Sequence, residues 1–267
     1  MVKPNHAELA RWPDCDPRIA AQAIADTEAA DRCALVLFTP RSGSSWLTGI
    51  VSATQQLGFL EEYINPAFID AVAKAMCATS HATLIAMLQR WAKTANGVFS
   101  MEALAVEIAL FGETEFFQAF GDNAVVFFLW RDDIVAQGVS LYRAVTTKRY
   151  HSTDAPAIAP EYDADQITEW MLHIVAIENE NLALLERRGL RARSLRYEDI
   201  VRDRATTLAI FAAALRVELT EEQHAASGGQ ELQKIADEWN RSAIQRFRDE
   251  RCEFVREIEA QRRIRRL

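Results

Sequence analysis

The segment Thr39–Trp46, which reads TPRSGSSW, carries residue types suited to binding a phosphate group. Gly43 lets the backbone approach a ligand closely, and Arg41 offers a forked cation that binds an anion through two hydrogen bonds. The residues after Gly43 have helical periodicity, so the free N–H groups of a first helical turn would face the same ligand. Three hydroxyl donors lie beside these groups, those of Ser42, Ser44 and Ser45. The segment predicts a phosphate-binding loop, and the alternative is an ordinary capped turn.

A second cation, Arg131, directly follows the apolar run Val125–Trp130, and Ser140 lies about two and a half helical turns further on. In open α/β sheets, ligands bind beyond the carboxyl ends of the strands. An arginine at such a strand end and a serine on the next helix could therefore hold a second phosphate. The alternative is an arginine that pairs with Asp132 or Asp133, beside an ordinary helix serine.

An acidic pair, Glu61 and Glu62, lies in the segment LEEY, which follows a helix predicted at Ser44–Leu57. A carboxylate can take a proton from an attacking hydroxyl when desolvation raises its pKa toward neutrality. The pair could therefore supply a general base, but on the residues alone the favoured interpretation is a solvated acidic loop.

Hydrophobic periodicity predicts the elements that must position these groups. Continuous apolar runs at Cys33–Phe38 and Val125–Trp130 predict strands buried on both faces. Helical patterns follow both runs, at Ser44–Leu57 and Asp133–Thr147. Further predicted segments are strands at Val98–Met101 and Ala192–Arg196 and helices at Asp163–Arg188 and Asp203–Leu215. Strands that alternate with helices predict an α/β fold with a parallel sheet.

The sequence predicts a single domain over residues 1–267, in which further segments are added to the sheet and its helices. We expect an N-terminal helical extension at 1–31, a mobile loop at 148–162 and a C-terminal helical segment at 230–267. The C-terminal arginines are expected to stabilise a helix C-terminus through its dipole, and they are Arg262, Arg263, Arg265 and Arg266.

Composition and charge narrow the classes of function. The 267 residues are 49% hydrophobic and 25% charged, which is typical of a globular protein. A net charge of −8 argues against non-specific binding to nucleic acid, which needs a basic face. No signal peptide is visible and no apolar run is long enough to span a membrane, so we expect a cytoplasmic protein. Four scattered cysteines without a C-x-x-C pair predict reduced thiols rather than a disulfide framework or a zinc site.

The order of these motifs resembles the nucleotide-dependent sulfotransferases, and among them the bacterial family typified by trehalose 2-sulfotransferase. The resemblance covers about Leu35–Phe247, most of the chain. It implies a P-loop-like three-layer α/β domain, in which helices flank a central and mainly parallel sheet, with helical additions. The matching segments are PRSGSSWL (Pro40–Leu47), LEEY (Leu60–Tyr63), RDDIVAQGVSLYRAVTT (Arg131–Thr147), RYEDI (Arg196–Ile200) and an A-D-x-x-N…R-F pattern ending at Phe247.

The resemblance also implies a donor co-substrate, 3′-phosphoadenosine 5′-phosphosulfate (PAPS). Its 5′-phosphosulfate would lie in the loop Arg41–Ser45 with Trp46 beside it, and Arg131 and Ser140 would hold its 3′-phosphate. The interval between Arg131 and Ser140 is one residue longer here than is usual in the wider sulfotransferase group.

For the reaction itself, the resemblance makes Glu62 the general base and Arg41 a stabiliser of charge on the leaving phosphate, with no metal required. The implied acceptor is a hydroxyl of a sugar, glycolipid or secondary metabolite, and family precedent suggests a homodimer. The family often has a lysine where this chain has Met101 and Glu102, so trehalose itself does not follow as the acceptor.

Two other classes of function stay open on the sequence. A nucleotide or small-molecule kinase would need a loop lysine, and the Walker A pattern G-x-x-x-x-G-K-[ST] is absent. Only Asp132 and Asp133 could then serve as magnesium ligands. The third class is a non-catalytic nucleotide-binding or scaffold protein on the same fold.

Overall fold

A parallel sheet of four strands forms the centre of the computed structural model, which describes residues 12–121, 124–150, 160–226 and 238–267. The strands are β1 (Arg32–Leu37), β2 (Val98–Ala103), β3 (Val125–Trp130) and β4 (Ala192–Arg196). Their order across the sheet is β2-β1-β3-β4, and every neighbouring pair is parallel. The two most apolar strands of the sequence, β1 and β3, therefore occupy the centre.

Helices connect the strands and cover the sheet. They are α1 (Pro17–Asp26), α2 (Ser44–Ala53), α3 (Ile69–Ala75), α4 (His81–Trp91), α5 (Ala105–Phe111), α6 (Glu113–Phe120), α7 (Ile134–Thr147), α8 (Ala164–Arg188), α9 (Tyr197–Arg202), α10 (Arg204–Leu215), α11 (Glu221–Ala226), α12 (Glu238–Glu250) and α13 (Cys252–Gln261). A 3₁₀ turn at Arg263–Arg266 follows α13.

The two faces of the sheet carry separate hydrophobic clusters. On one face, Leu35 and Phe128 pack against α4, α5, α6 and α8. On the other face, Val36 and Phe127 pack against α2 and α10, where the Phe127 ring stacks on Phe211 at a centroid distance of 3.9 Å. Burial on both faces explains why β1 and β3 are continuous apolar runs. The predicted three-layer α/β fold with a parallel sheet is confirmed.

Element boundaries differ from the sequence prediction at two places near the site. The helix after the phosphate-loop segment ends at Ala53 rather than at Leu57, because the Thr54 hydroxyl accepts hydrogen bonds from the N–H groups of Gln56 and Leu57 and turns the chain. Strand β2 continues past Met101 to Ala103. This extension brings Glu102 into the sheet, paired in register with Val36 of β1.

The expectation of four reduced cysteines is wrong for one pair. Cys15, before α1, and Cys77, after α3, form a disulfide across 62 residues of sequence. Cys33 and Cys252 are free, and burial raises the pKa of the Cys33 thiol to about 12. Spacing does not reveal such a pair, because the packing of the helices brings the two residues together.

The C-terminal arginines do not all act on a helix dipole, as the sequence had suggested. Arg262 is buried and pairs with the buried Glu178 of α8. Arg263 pairs with Glu186, and Arg265 pairs with Asp132 at 2.9 Å. The segment after α13 is therefore attached to the sheet and to α8 by side-chain contacts.

Several predicted features fall wholly or partly outside the described residues. Most of the loop predicted at 148–162 lies outside the described residues, since residues 151–159 are not described. The same holds for residues 1–11 of the N-terminal extension and for 230–237 of the C-terminal segment. The division of the chain into one domain with these additions stays a prediction.

Candidate functional site

The predicted phosphate-binding loop joins the end of β1 to the start of α2. Its backbone is tightly turned: the Ser42 N–H donates to the Thr39 carbonyl at 3.1 Å, and Arg41 and Gly43 have φ angles of 64° and 94°. The first intrahelical bonds of α2 run from Trp46 and Leu47 to the Gly43 carbonyl. The N–H groups before Trp46 belong to the first turn, whose amides have no acceptor within the helix. Ser44 and Ser45 stand at this helix start, as the sequence predicts.

Gly43 is required by space as well as by its backbone angle. A Cβ atom at this position would lie 2.5 Å from Cδ2 of Tyr197, the first residue of α9. The tyrosine ring therefore packs directly on the loop. The sequence marked Tyr197 only as part of the segment RYEDI. The contact arises because β4 pairs with β3 and Tyr197 directly follows β4.

Arg41 connects the two predicted halves of the phosphate-binding region. Its Nε donates to the Ser140 hydroxyl at 3.0 Å, across 99 residues of sequence, and its Nη1 donates to the Tyr150 carbonyl at 2.7 Å. Ser140 lies on α7, which follows β3 directly. The one-residue-longer interval after Arg131 thus still leaves Ser140 facing the loop.

Arg131 also contacts Tyr197. Its guanidinium carbon is 4.7 Å from the centroid of that ring, and its Nε is 4.0 Å from Oε1 of Glu198. The buried Nε has no hydrogen-bond partner among the described residues. Among the described residues the acidic partner of Arg131 is Glu198, whereas Asp132 pairs with Arg265 and Asp133 with Arg248.

The electrostatics of this region favour an anion. Burial lowers the pKa of Arg41 from its ordinary value, and the nearby charge of Arg131 lowers it further. The Ser42 hydroxyl is fully buried and has no hydrogen-bond partner within the described part of the chain. A phosphate or sulfate group would relieve the repulsion between the two cations and would accept the serine hydrogen bond. The residues present fit the predicted donor.

Gln137 is a site residue that the sequence did not reveal. It is fully buried on α7, and its Nε2 donates to Thr39 Oγ1 and to the Pro40 carbonyl, both at 2.8 Å. These bonds fix the start of the loop against α7. The available signal was a polar residue on the apolar face of a predicted helix, between Ile134 and Leu141.

The acidic pair lies on the β2 side of the loop. Glu62 is half-buried and accepts a 2.5 Å hydrogen bond from Asn65 Nδ2, whereas Glu61 is more exposed. The Glu61 carbonyl accepts from the Glu102 N–H at 2.9 Å. Glu102 is 1% exposed, hydrogen-bonds Thr48 of α2, and leaves its Oε1 without a partner in the described residues.

Burial and mutual repulsion shift the titration of this acidic group. Burial raises the pKa of Glu102 well above its ordinary value, and the charges of Glu62 and Glu61 raise it further. Burial also raises the pKa of Glu107, at the start of α5, to about 7. Partial burial and the charge of Glu62 raise the pKa of Glu61. The sequence flagged Glu102 as a departure from the family pattern, but Glu107 carried no signal.

The described residues contain neither a metal-binding cluster nor a helix suited to a membrane. No group of three or more His, Cys, Asp and Glu side chains is placed to hold a metal ion. None of the described helices combines the length and the apolar character needed to cross a membrane.

Comparisons with known proteins agree with the fold and the motif order. The sequence model of one family, described as Stf0 sulphotransferase, matches residues 33–250. Sulfotransferase STF9 from Mycobacterium avium is similar in structure, with a TM-score of 0.50 and 14% identity, covering 87% of this chain and 79% of that one. This similarity supports the same fold. No curated protein matches the sequence closely enough to count as a relative.

Two further solved structures overlap this chain at lower TM-scores. The sulfotransferase domain of the Synechococcus PCC 7002 olefin synthase has a TM-score of 0.49 and 15% identity, covering 89% of this chain and 91% of that one. Mouse sulfotransferase SULT7A1 complexed with PAP has a TM-score of 0.47 and 9% identity, covering 85% and 75%.

Proposed function

The chain belongs to the Stf0 sulphotransferase family, and from that premise we propose that it transfers the sulfuryl group of PAPS to an acceptor hydroxyl. The chain is a sulfotransferase; the donor, the base and the acceptor class are the proposal. One observation carries it: Arg41 donates to Ser140, so the loop after β1 and the helix after β3 lie in contact. The acceptor class that follows is a sugar, glycolipid or secondary metabolite with a free hydroxyl.

The donor-binding residues divide between two phosphate groups. Arg41 and the Ser42–Ser45 loop, with Trp46 beside it, would hold the 5′-phosphosulfate, and the unpartnered Ser42 hydroxyl and the α2 amides are free to donate to it. Arg131 and Ser140 would hold the 3′-phosphate. When bound, PAPS supplies an activated sulfuryl group with a bisphosphate as its leaving group.

The chain's own contribution to the reaction is alignment, charge stabilisation and proton removal. Arg41, desolvated beside Arg131, stabilises negative charge that grows on the leaving phosphate. Glu62 accepts the proton of the acceptor hydroxyl on Oε1 or Oε2 as the new S–O bond forms. The Asn65 amide, bonded to Oε2, orients this carboxylate. None of these roles requires a metal ion.

Isothermal titration with adenosine 3′,5′-bisphosphate, 5′-AMP and ATP–Mg²⁺ tests the donor site. We expect the bisphosphate to bind roughly tenfold more tightly than 5′-AMP, because Arg131 and Ser140 add charge-assisted hydrogen bonds to the 3′-phosphate. Preference for ATP–Mg²⁺, or no binding of the bisphosphate, would contradict the proposal and favour a kinase. Binding without turnover in an acceptor screen with PAPS would favour a non-catalytic protein.

The remaining expectations belong to the same proposal. A homodimer and a cytoplasmic location are expected from family precedent and from the sequence. Light scattering of the purified chain measures the first directly.

A further inference from the structure

Arg262 makes a dense set of buried contacts at the end of β3. Its side chain is 0% exposed, and it lies between α13 and the final 3₁₀ turn. Its Nε and Nη2 donate to the two carboxylate oxygens of Glu178 at 3.1 and 2.6 Å. Its Nη2 also donates to the Arg131 carbonyl at 2.6 Å, and its Nη1 to the Asp132 carbonyl at 2.7 Å.

Arg131, Asp132 and Asp133 form the turn after β3, and a different side chain bonds the backbone N–H groups of this turn. The carboxylate of Glu198 accepts from the N–H groups of Asp132 and Asp133, at 3.1 and 3.3 Å, and lies 4.0 Å from Arg131 Nε. The carbonyls of the turn are thus bonded by Arg262 and its N–H groups by Glu198. A strand end leaves these backbone groups without sheet partners, so the side chains decide the backbone position.

Stability alone does not explain a buried ion pair between Arg262 and Glu178, because removing two charges from water costs free energy that their attraction often only offsets. Burial raises the pKa of Glu178, and the hydrogen bonds from Arg262 offset part of that rise. Hydrophobic residues of similar volume often replace a buried ion pair without loss of stability. They would not supply the two donors that reach the carbonyls of Arg131 and Asp132. The specific contribution of Arg262 is therefore the geometry of this backbone.

We propose that Arg262 is a positioning residue for the donor site, which fixes the backbone of Arg131 so that its guanidinium meets the 3′-phosphate. The inference rests on the proposed function. It also places a determinant of donor recognition outside residues 33–250, the part of the chain that matches the family. The C-terminal segment then belongs to the active enzyme and is more than a helical addition.

The test measures discrimination between adenosine 3′,5′-bisphosphate and 5′-AMP by isothermal titration of the full-length chain. Arg262→Lys keeps a positive charge for Glu178 but cannot span both carbonyls. The double variant Arg262→Met with Glu178→Leu removes both charges, so that no unpaired buried charge remains. Arg266→Lys is the matched control, because Arg266 is an exposed arginine in the same turn.

Both test variants are expected to lose roughly tenfold in bisphosphate affinity with little change for 5′-AMP, while thermal melting stays cooperative. The control should keep the wild-type ratio. A folded double variant with the wild-type ratio would show that Arg262 is only structural and would overturn the inference while the donor proposal stands. Equal losses for both nucleotides would also overturn it, since the effect would not act through the 3′-phosphate. A wild-type chain without preference for the bisphosphate would overturn both proposals.

Discussion

The site has two sides, a donor side with Arg41 and Arg131 and an acidic side around Glu102. Each side places like charges close together at partly buried positions, but the repulsion between those charges is relieved in different ways. On the donor side, the charge of Arg131 acts on Arg41, and Arg131 also lies over the Tyr197 ring. On the acidic side, the charges that act on Glu102 are those of Glu62, Glu61 and Glu107. A guanidinium does not lose its proton in a protein, so the donor side is relieved by binding an anion. Carboxyl groups can take up protons, so the acidic side is relieved by protonation.

The carboxyl groups of the acidic side differ in their environments. Glu102 is buried, and burial together with the charges of Glu62 and Glu61 raises its pKa well above the ordinary value, which favours its neutral form. Glu62 is half-buried and accepts a hydrogen bond from the Asn65 amide. The difference in burial supports the proposal that Glu62, rather than Glu102, is the base.

The largest effect is expected from Glu62→Gln. We expect kcat to fall by about 10²–10⁴-fold, because the amide cannot accept the acceptor's proton. Affinity for adenosine 3′,5′-bisphosphate should stay unchanged, since the donor residues are intact. Steady-state kinetics with PAPS and a turned-over acceptor, beside titration with the bisphosphate, measures both. Glu61→Gln is the matched control; if it costs more than Glu62→Gln, the base is Glu61.

A smaller effect is expected from Arg131→Ala. Bisphosphate affinity should fall by roughly 10–100-fold, the range of one or two charge-assisted hydrogen bonds, while 5′-AMP affinity changes little. Arg41→Ala is the partner variant, and it should weaken both nucleotides because it acts on the 5′ group. Titration of the two variants with both ligands gives the four affinities. Equal losses for both ligands in Arg131→Ala would contradict the assignment of the 3′-phosphate.

The smallest effect is expected from Glu102→Gln, and it appears in stability. The native pKa of Glu102 is above its unfolded value, so the native state binds more protons and its stability falls as pH rises through this interval. The amide has no proton to lose. The variant should therefore melt roughly 2–4 °C above wild type at pH 8, with a smaller difference at pH 5.

The control for this prediction is Glu218→Gln, because Glu218 is exposed. Its melting temperature should follow that of wild type at both pH values. A Glu102→Gln variant that melts below wild type at pH 8 would mean that Glu102 is ionised in the native protein. The acidic side would then need a cation, and the contrast with the donor side would disappear.

Local patterns were sufficient for the sheet and for the position of the glycine-serine loop before α2. The apolar runs of β1 and β3 and the glycine-serine loop before α2 are contiguous segments whose burial and turn chemistry are visible residue by residue. The position of Arg131 at a strand end was predicted for the same reason. The acidic segment LEEY was marked by its motif, although its roles stay a prediction.

Contacts between distant segments were not visible in the sequence. Gln137 and Glu102 look like polar exceptions in apolar elements until packing places them on the loop and beside Glu61. The disulfide between Cys15 and Cys77 depends in the same way on the meeting of two elements. Strand extension by two residues, from Met101 to Ala103, decided where Glu102 lies.

The sequence by itself determined the parallel α/β sheet, the phosphate-type loop and the family, because each depends on short-range periodicity or on a contiguous motif. Only the tertiary structure decided that Arg41 meets Ser140, that Tyr197 packs on Gly43 and that Arg262 holds the Arg131 backbone. The Arg41–Ser140 and Arg262–Arg131 contacts join residues that are 99 and 131 positions apart in the sequence. Such contacts depend on strand order and helix packing, which no local pattern of residues encodes.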